Sequence, residues 1–231
     1  MGKKLFSVWK GKADASIGIG AMIVFIAMVL VAGIAASVLI QTSTRLEMQA
    51  LKTGQTTISE VASGLNVESV EGNSLTTSAI NKLAVEVKSR AGSPDIDLNQ
   101  TVLEISDASS KHLLRHSGNV YTIAGINGAL FNASSFGGAT TFDIIVLQDA
   151  DSSVTSDKVI NFGDHVVIGI NVASVFSGNS GLVPRTDVSG VVISEEGVPG
   201  IIGFTTPSSY TSAKQIMELQ WGDMKWENCF C

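Results

Sequence analysis

Cysteine is nearly absent from this chain of 231 residues, whose two thiols, Cys229 and Cys231, both fall within the last three positions. One residue apart, with no cysteine upstream, they cannot staple a core, so stability must come from packing. Two thiols are also too few for a structural zinc site. Histidine is almost as scarce, with His112, His116 and His165 alone. His112 and His116 stand four apart in HLLRH, but that segment lacks the glutamate of a zinc-protease helix and brings no third ligand. All three read as ordinary surface or core histidines. No serine, threonine or cysteine has a recognisable base beside it, so an enzyme is not the expected reading. Positive charge is in the minority, 15 Lys and Arg against 21 Asp and Glu for a formal −6, which argues against nucleic acid as a partner. Asp149, Asp151 and Asp157 in QDADSSVTSD hint at a calcium loop, but the glycine and terminal glutamate of an EF-hand are missing. A solvated loop without a metal is expected there, and no cofactor is expected anywhere.

Charge is missing in a second way. From Ala15 to Ile40 there is no charged residue, no Asn or Gln and no Pro. A helix of that length covers the roughly 30 Å hydrocarbon core of a bilayer. Before it, Met1 to Lys12 carries Lys3, Lys4, Lys10 and Lys12 and no acid. A basic leader ahead of an apolar run suggests export, yet the secretory layout does not fit: the run is too long and no A-x-A-like site follows it. The one plausible cut, in Lys10-Gly11-Lys12-Ala13, precedes the apolar run and would leave the hydrophobic helix as the new N-terminus. The competing reading is an uncleaved anchor held by the positive-inside rule.

Ala21, Ala27, Ala32, Gly33, Ala35, Ala36 and Ser37 are set among Ile, Val, Leu and Met. Small residues let helix backbones approach closely in lipid, a need that a solitary anchor does not have. From Gln41 to Ser63 there is again no Pro, and Leu39, Ser43, Leu46, Ala50, Leu51, Ile58, Val61 and Leu65 recur at spacings of three, four and seven. A continuous helix from about Ile17 to Ser63, capped by Gly64, would be roughly 70 Å long. Such a rod suits lateral assembly better than simple anchoring.

After Asn66 the helical period fades into short alternating runs. Leu83, Val85 and Val87 alternate with Ala84, Glu86 and Lys88, and HVVIGINV places Val166, Ile168, Ile170 and Val172 on one face. Val102–Ser106, Val120–Ile123, Phe142–Gln148, Val188–Ser194 and Ile201–Thr205 are further strands, separated by GSPD, SSFGG, SGNSG and EEGVPG. The expected architecture is α+β: a long N-terminal hydrophobic helix, then a C-terminal antiparallel β-sandwich or barrel. Asn99-Gln100-Thr101 and Asn132-Ala133-Ser134 both satisfy N-x-[ST]. They mark Asn99 and Asn132 as N-glycosylation candidates for an exported chain.

Three stretches together resemble the archaellins, the archaeal flagellins built on a type IV pilin-like plan. They are GIGAMIVFIAMVLVAGIAASVLIQTS from Gly18 to Ser43, RAGSPDIDLNQTVLEISD from Arg90 to Asp107, and GLVPRTDVSGVVISEEGVPGIIGFTTPSSY from Gly181 to Tyr210. The resemblance implies a class III leader over residues 1–12, cut by a membrane-embedded prepilin-type signal peptidase. The bond is Lys12–Ala13, with Gly11–Lys12 as the alternative. It implies a filament-core helix over 13–64, packed through Gly18, Gly20, Ala27, Ala32, Gly33, Ala35 and Ala36, and a β-rich outer domain over 65–231. It further implies a membrane-inserted precursor, an archaellum assembly platform, an oligosaccharyltransferase, and polymerisation with itself into an extracellular swimming filament turned by a separate motor. Two features depart from the family pattern: GIG lies further than usual from the cut, and the Cys-x-Cys tail has no family role. A type IV adhesion pilin, or a membrane-anchored or S-layer-associated binding domain, would share the leader and helix.

Overall fold

The computed structural model describes residues 3–132, 136–176, 181–211 and 215–221, with side chains from Gly18 onward except those of Asn132 and Trp221. The chain divides into two compact units, Met1–Thr56 and Thr57–Cys231. Helix α1, Lys3–Ala62, supplies nearly all of the first unit and the opening residues of the second. It begins well ahead of the apolar run, because Lys, Ala and Leu are good helix formers and no proline interrupts them. It ends at Ala62, one residue before the expected Ser63, and Gly64 follows with φ of 130°. Leu65, whose spacing fits the helical pattern, instead opens the first strand and is fully buried.

The second unit carries β1 (Leu65–Ser74), β2 (Lys82–Ser89), β3 (Ile96–Asp97), β4 (Val102–Ser106), β5 (Lys111–Thr122), β6 (Thr141–Gln148), β7 (Val159–Ile160), β8 (His165–Asn171), β9 (Asp187–Ile193), β10 (Gly200–Thr205) and β11 (Gln215–Trp221). Two short helices, α2 (Ser153–Asp157) and α3 (Val172–Val175), and a 3-10 turn at Leu130–Asn132 fill the connections. Nine strands form one sheet in the order β10-β9-β4-β5-β6-β8-β2-β1-β11, and β3 pairs with β7 apart from it. The two edge strands of the large sheet meet through a side chain. On β11, Gln220 Nε2 donates to Ile201 O of β10 at 3.2 Å, while Gly203 N donates to Gln220 Oε1 at 2.7 Å. One carboxamide thus supplies the donor and acceptor that a backbone ladder would have supplied, and the sheet is nearly a barrel.

The pairing is antiparallel throughout the large sheet except between β5 and β6, which run parallel. Parallel neighbours require a long crossover, and residues 123–140 provide it. The crossover lays Ile126, Phe131 and Phe136 over Ala84, Ile145 and Val167, making a second small core on the outer face of β2, β6 and β8. The main core, inside the barrel, gathers Leu65, Val70, Leu83, Val85, Leu103, Ile105, Phe142, Ile144, Ile168, Ile170 and Val192, among others. Strands β6 and β8 are therefore buried on both faces, which explains why Val167 and Ile145 break an otherwise alternating pattern.

Candidate assembly surface and modification sites

Most of the exposed large apolar side chains among the described residues lie on α1. Every Ile, Leu, Val, Met and Phe from Ile19 to Val61 is between 53% and 70% exposed. The stretch is apolar on all sides up to Ile40 and is long and hydrophobic enough to cross a membrane. Soluble chains rarely show contiguous apolar patches above a few hundred Å². Glycines along the helix have equally empty surroundings: a methyl built on Gly18, Gly20, Gly33 or Gly54 would meet nothing within 4 Å. Nothing among the described residues of α1 therefore requires them to be small.

Several threonines after Ile40 return their hydroxyls to the helix backbone. Thr42 Oγ1 donates to Leu39 O at 3.0 Å, and Thr44, Thr53 and Thr56 donate to the carbonyls of Ile40, Gln49 and Lys52 at 2.9 Å. A threonine that returns its hydroxyl to the preceding turn can be covered by an apolar neighbour without leaving a donor stranded. Arg45, Glu47, Lys52 and Glu60 remain as the exposed charges of this stretch.

Within the second unit, the end of α1 is clamped by the Glu196-Gly197-Val198-Pro199 loop. Val198 N donates to Ser63 O at 2.9 Å and Gly64 bridges Val198. On the other side, Arg90 N donates to Gly64 O at 3.0 Å and Gly64 N to Ser93 Oγ at 3.4 Å. A Cβ on Gly197 would lie 2.2 Å from Ser63 O, and one on Gly64 2.2 Å from Val198 O.

Asn99 is exposed, in the turn that follows β3. Its Oδ1 faces His116 Nδ1 at 3.0 Å, and His116 Nε2 faces Asn119 O at 3.1 Å. Asn132 ends the 3-10 turn, while Ala133 and Ser134 of its sequon lie outside the described residues. Gly11, Lys12 and Ala13 fall in α1 where only the backbone is described, and Cys229 and Cys231 lie outside the described residues.

The histidines are dispersed. HLLRH lies on β5 rather than on a helix, so His112 and His116 are not stacked by a helical turn. His112 meets Phe176 edge-on at 5.1 Å, His116 stacks on Phe142, and His165 Nδ1 sits 3.6 Å from Glu86 Oε1. The aspartates gather differently from their sequence spacing. Carboxylate oxygens of Asp149, Asp151 and Asp164 lie within 4.8 Å of one another, and Asp157, at the end of α2, is not part of this group. Asp164 is buried and accepts from Asn161 N at 3.0 Å, Ala150 N at 3.3 Å and Ser153 Oγ at 3.4 Å. Asp151 accepts from Asn161 Nδ2 at 2.7 Å, and this bond, ahead of those from Ser153, holds its carboxyl below the usual range. Such oxygens suit a hard cation; hydrogen bonds satisfy those of Asp151 and Asp164, while Asp149 Oδ1 is buried with no hydrogen-bond partner among the described residues. No spacing rule could have found Asp164, which arrives from the turn between β7 and β8.

Residues 15–204 match the family model described as archaeal-type flagellin. Flagellin B2 of Methanocaldococcus jannaschii is 46% identical over 222 residues, covering 94% of this chain and 100% of that one. Flagellin B1 of Methanococcus voltae is 43% identical, covering 88% of this chain and 94% of its own length. Among solved structures, the crystal structure of the archaeal flagellin FlaB1 from M. jannaschii superposes with a TM-score of 0.63 at 36% identity. That match covers 71% of this chain and all of the other. The archaeal flagellum of Methanospirillum hungatei strain JF1 gives 0.57 at 15% identity, over 87% of this chain and 98% of that one, which is a likeness of fold. An exposed apolar helix joined by a glycine clamp to a nearly closed barrel, together with a family match from Ala15 to Phe204, places this chain in the archaeal-type flagellin family.

Proposed function

We propose that this chain is the structural subunit of an archaeal swimming filament, polymerising with itself through α1. The carrying observation is the exposure of every Ile, Leu, Val, Met and Phe along α1 from Ile19 onward, on all sides up to Ile40 and at Leu46, Met48, Leu51, Ile58 and Val61 beyond. A membrane span alone would need only the first half of that surface; its extension to Val61 calls for further helices. Other copies supply them, and contacts of this heterologous kind, repeated without closing, build a helical filament. Gly18, Gly20, Ala27, Ala32, Gly33, Ala35 and Ala36 allow the close approach that replaces a hydrophobic drive in lipid. The relatives named as flagellins support the same reading.

On this reading residues 1–12 are removed by a prepilin-type signal peptidase at Lys12–Ala13, or at Gly11–Lys12. Residues 13–64 wait in the membrane with their backbone satisfied internally. An assembly platform then extracts the helix into the filament core, and residues 65–231 form the outer domain. An oligosaccharyltransferase modifies Asn99 and Asn132 outside the cell. The subunit performs no chemistry of its own. Intact and peptide mass spectrometry of filaments sheared from cells tests the reading. A chain starting at Ala13 or Lys12 is expected. A chain starting at Met1 and confined to membranes would overturn it and leave an anchored β-domain.

A further inference from the structure

The sequon at Asn99 is built into the fold in a way that separates making the modification from carrying it. An N-x-[ST] rule requires the transferase to engage the hydroxyl two residues beyond the asparagine as well as the carboxamide itself. Here Asn99 is exposed but Thr101 is 1% exposed. Thr101 Oγ1 points inward to Asp97 O at 3.4 Å, and Thr101 N donates to Leu98 O at 3.3 Å. Leu98, one residue before the asparagine, is likewise 1% exposed and belongs to the main core, with its N–H on Lys158 O at 2.9 Å. Asn99 N is held by Asp97 Oδ1 at 2.8 Å and Gln100 N by Asp97 O at 3.3 Å. The five residues form a closed turn pinned at Leu98 and Thr101, and opening it means withdrawing both from the interior and freeing the start of β4.

We infer that Asn99 receives its glycan before the β-domain folds, on the freshly exported chain, and that folding then seals the sequon. The inference rests on the proposed modification of Asn99. In the reaction, Asn99 Nδ2 forms a bond to the anomeric carbon of a lipid-phosphate-linked oligosaccharide. The bond from that carbon to the lipid phosphate breaks, the lipid phosphate leaves with the electron pair, and the amide gives up one proton. The folded turn accommodates the product: Oδ1 faces His116, while Nδ2, the atom that carries the sugar, makes no hydrogen bond among the described residues. A sugar attached earlier stays in solvent when the turn closes. The fold thus accepts the glycan and excludes the enzyme, which makes glycan transfer compete with folding.

The test uses the full chain, made where no transferase acts on it and held in detergent, with membranes that carry the transferase and its lipid-linked donor. One portion is folded; the other is unfolded in urea and diluted into the reaction at once. A synthetic peptide spanning residues 96–104 is the positive control. Mass spectrometry of the Asn99 peptide is expected to show at least tenfold more transfer to the unfolded chain and to the control than to the folded chain. Equal transfer to folded and unfolded chains overturns the inference and leaves the modification standing. An Asn99 peptide that is bare in filaments sheared from cells overturns the modification itself, and the inference with it.

Discussion

Glu71 on β1 stands directly across from Glu218 on β11, and Glu86 of β2 shares their outer face. Like charges in cross-strand register oppose folding. Burial first, and then the charges of Glu86 and Glu218, push the Glu71 carboxyl above its ordinary value of 4.5. A raised acid binds its proton more tightly in the folded state, so its favourable contribution is complete below the unfolded value and is lost as pH rises through the folded one. Glu71→Gln keeps the size and removes the charge, so it should raise the Tm by a few degrees at pH 7 and leave it unchanged near pH 3. An equal gain at both pH values would remove the electrostatic account. Asp164 is buried and accepts hydrogen bonds from three residues. Asp164→Ala strands those donors and should cost about 2–4 kcal/mol in denaturant unfolding; a cost under about 0.5 kcal/mol would show that the turn holds without it. The sequence located this loop but named Asp157 as third member, because distance along the chain says nothing about which acid returns from the next turn.

Gly197 meets the end of α1 with φ of 90° and no room for a side chain. Gly197→Ala combines backbone strain with a contact on the Ser63 carbonyl and should destabilise the second unit by about 2 kcal/mol or more. Gly203→Ala, on an outward position of β10 with open space around it, should stay within about 0.5 kcal/mol. Parallel urea titrations of the two variants check this, and equal midpoints would mean that the Ser63–Val198 contact is dispensable. The strands show why some elements were readable and others hidden. Strand β4 falls where Val102–Ser106 was read, and β8 where HVVIGINV alternates. Strand β1 was missed because a bulge between Val67 and Ser69 shifts its buried positions from Leu65 and Val67 to Val70, breaking the period of two. Most of β5 was missed because its outward face is long, polar and exposed.

On the proposed function, assembly runs through α1, whose apolar stretch from Gly18 to Ile40 carries no charge. Ala35→Glu or Ala36→Glu would place a carboxylate among close-packed helices, at a cost that an unpaired buried charge does not recover. Each variant should abolish filaments in electron micrographs of sheared material. The tertiary circular dichroism signal of the β-domain should persist, since α1 residues up to Thr56 belong to a separate compact unit. Normal filaments from either variant would refute packing through these positions.

Local chemistry was enough to read the helix, its apolar length, its glycine stop, the strand-rich remainder and the family resemblance. Each of these is written in neighbouring residues, through hydrophobic period, charge exclusion or a short motif. The parallel β5–β6 pair, the crossover core, the Gln220 closure of the sheet and the company kept by Asp164 were not readable. They join residues far apart in the chain, and their energy exists only once the sheet has brought those residues together. The sequon at Asn99 belongs to both kinds: three adjacent residues announce it, while the burial of Leu98 and Thr101 on either side of it comes only with the fold.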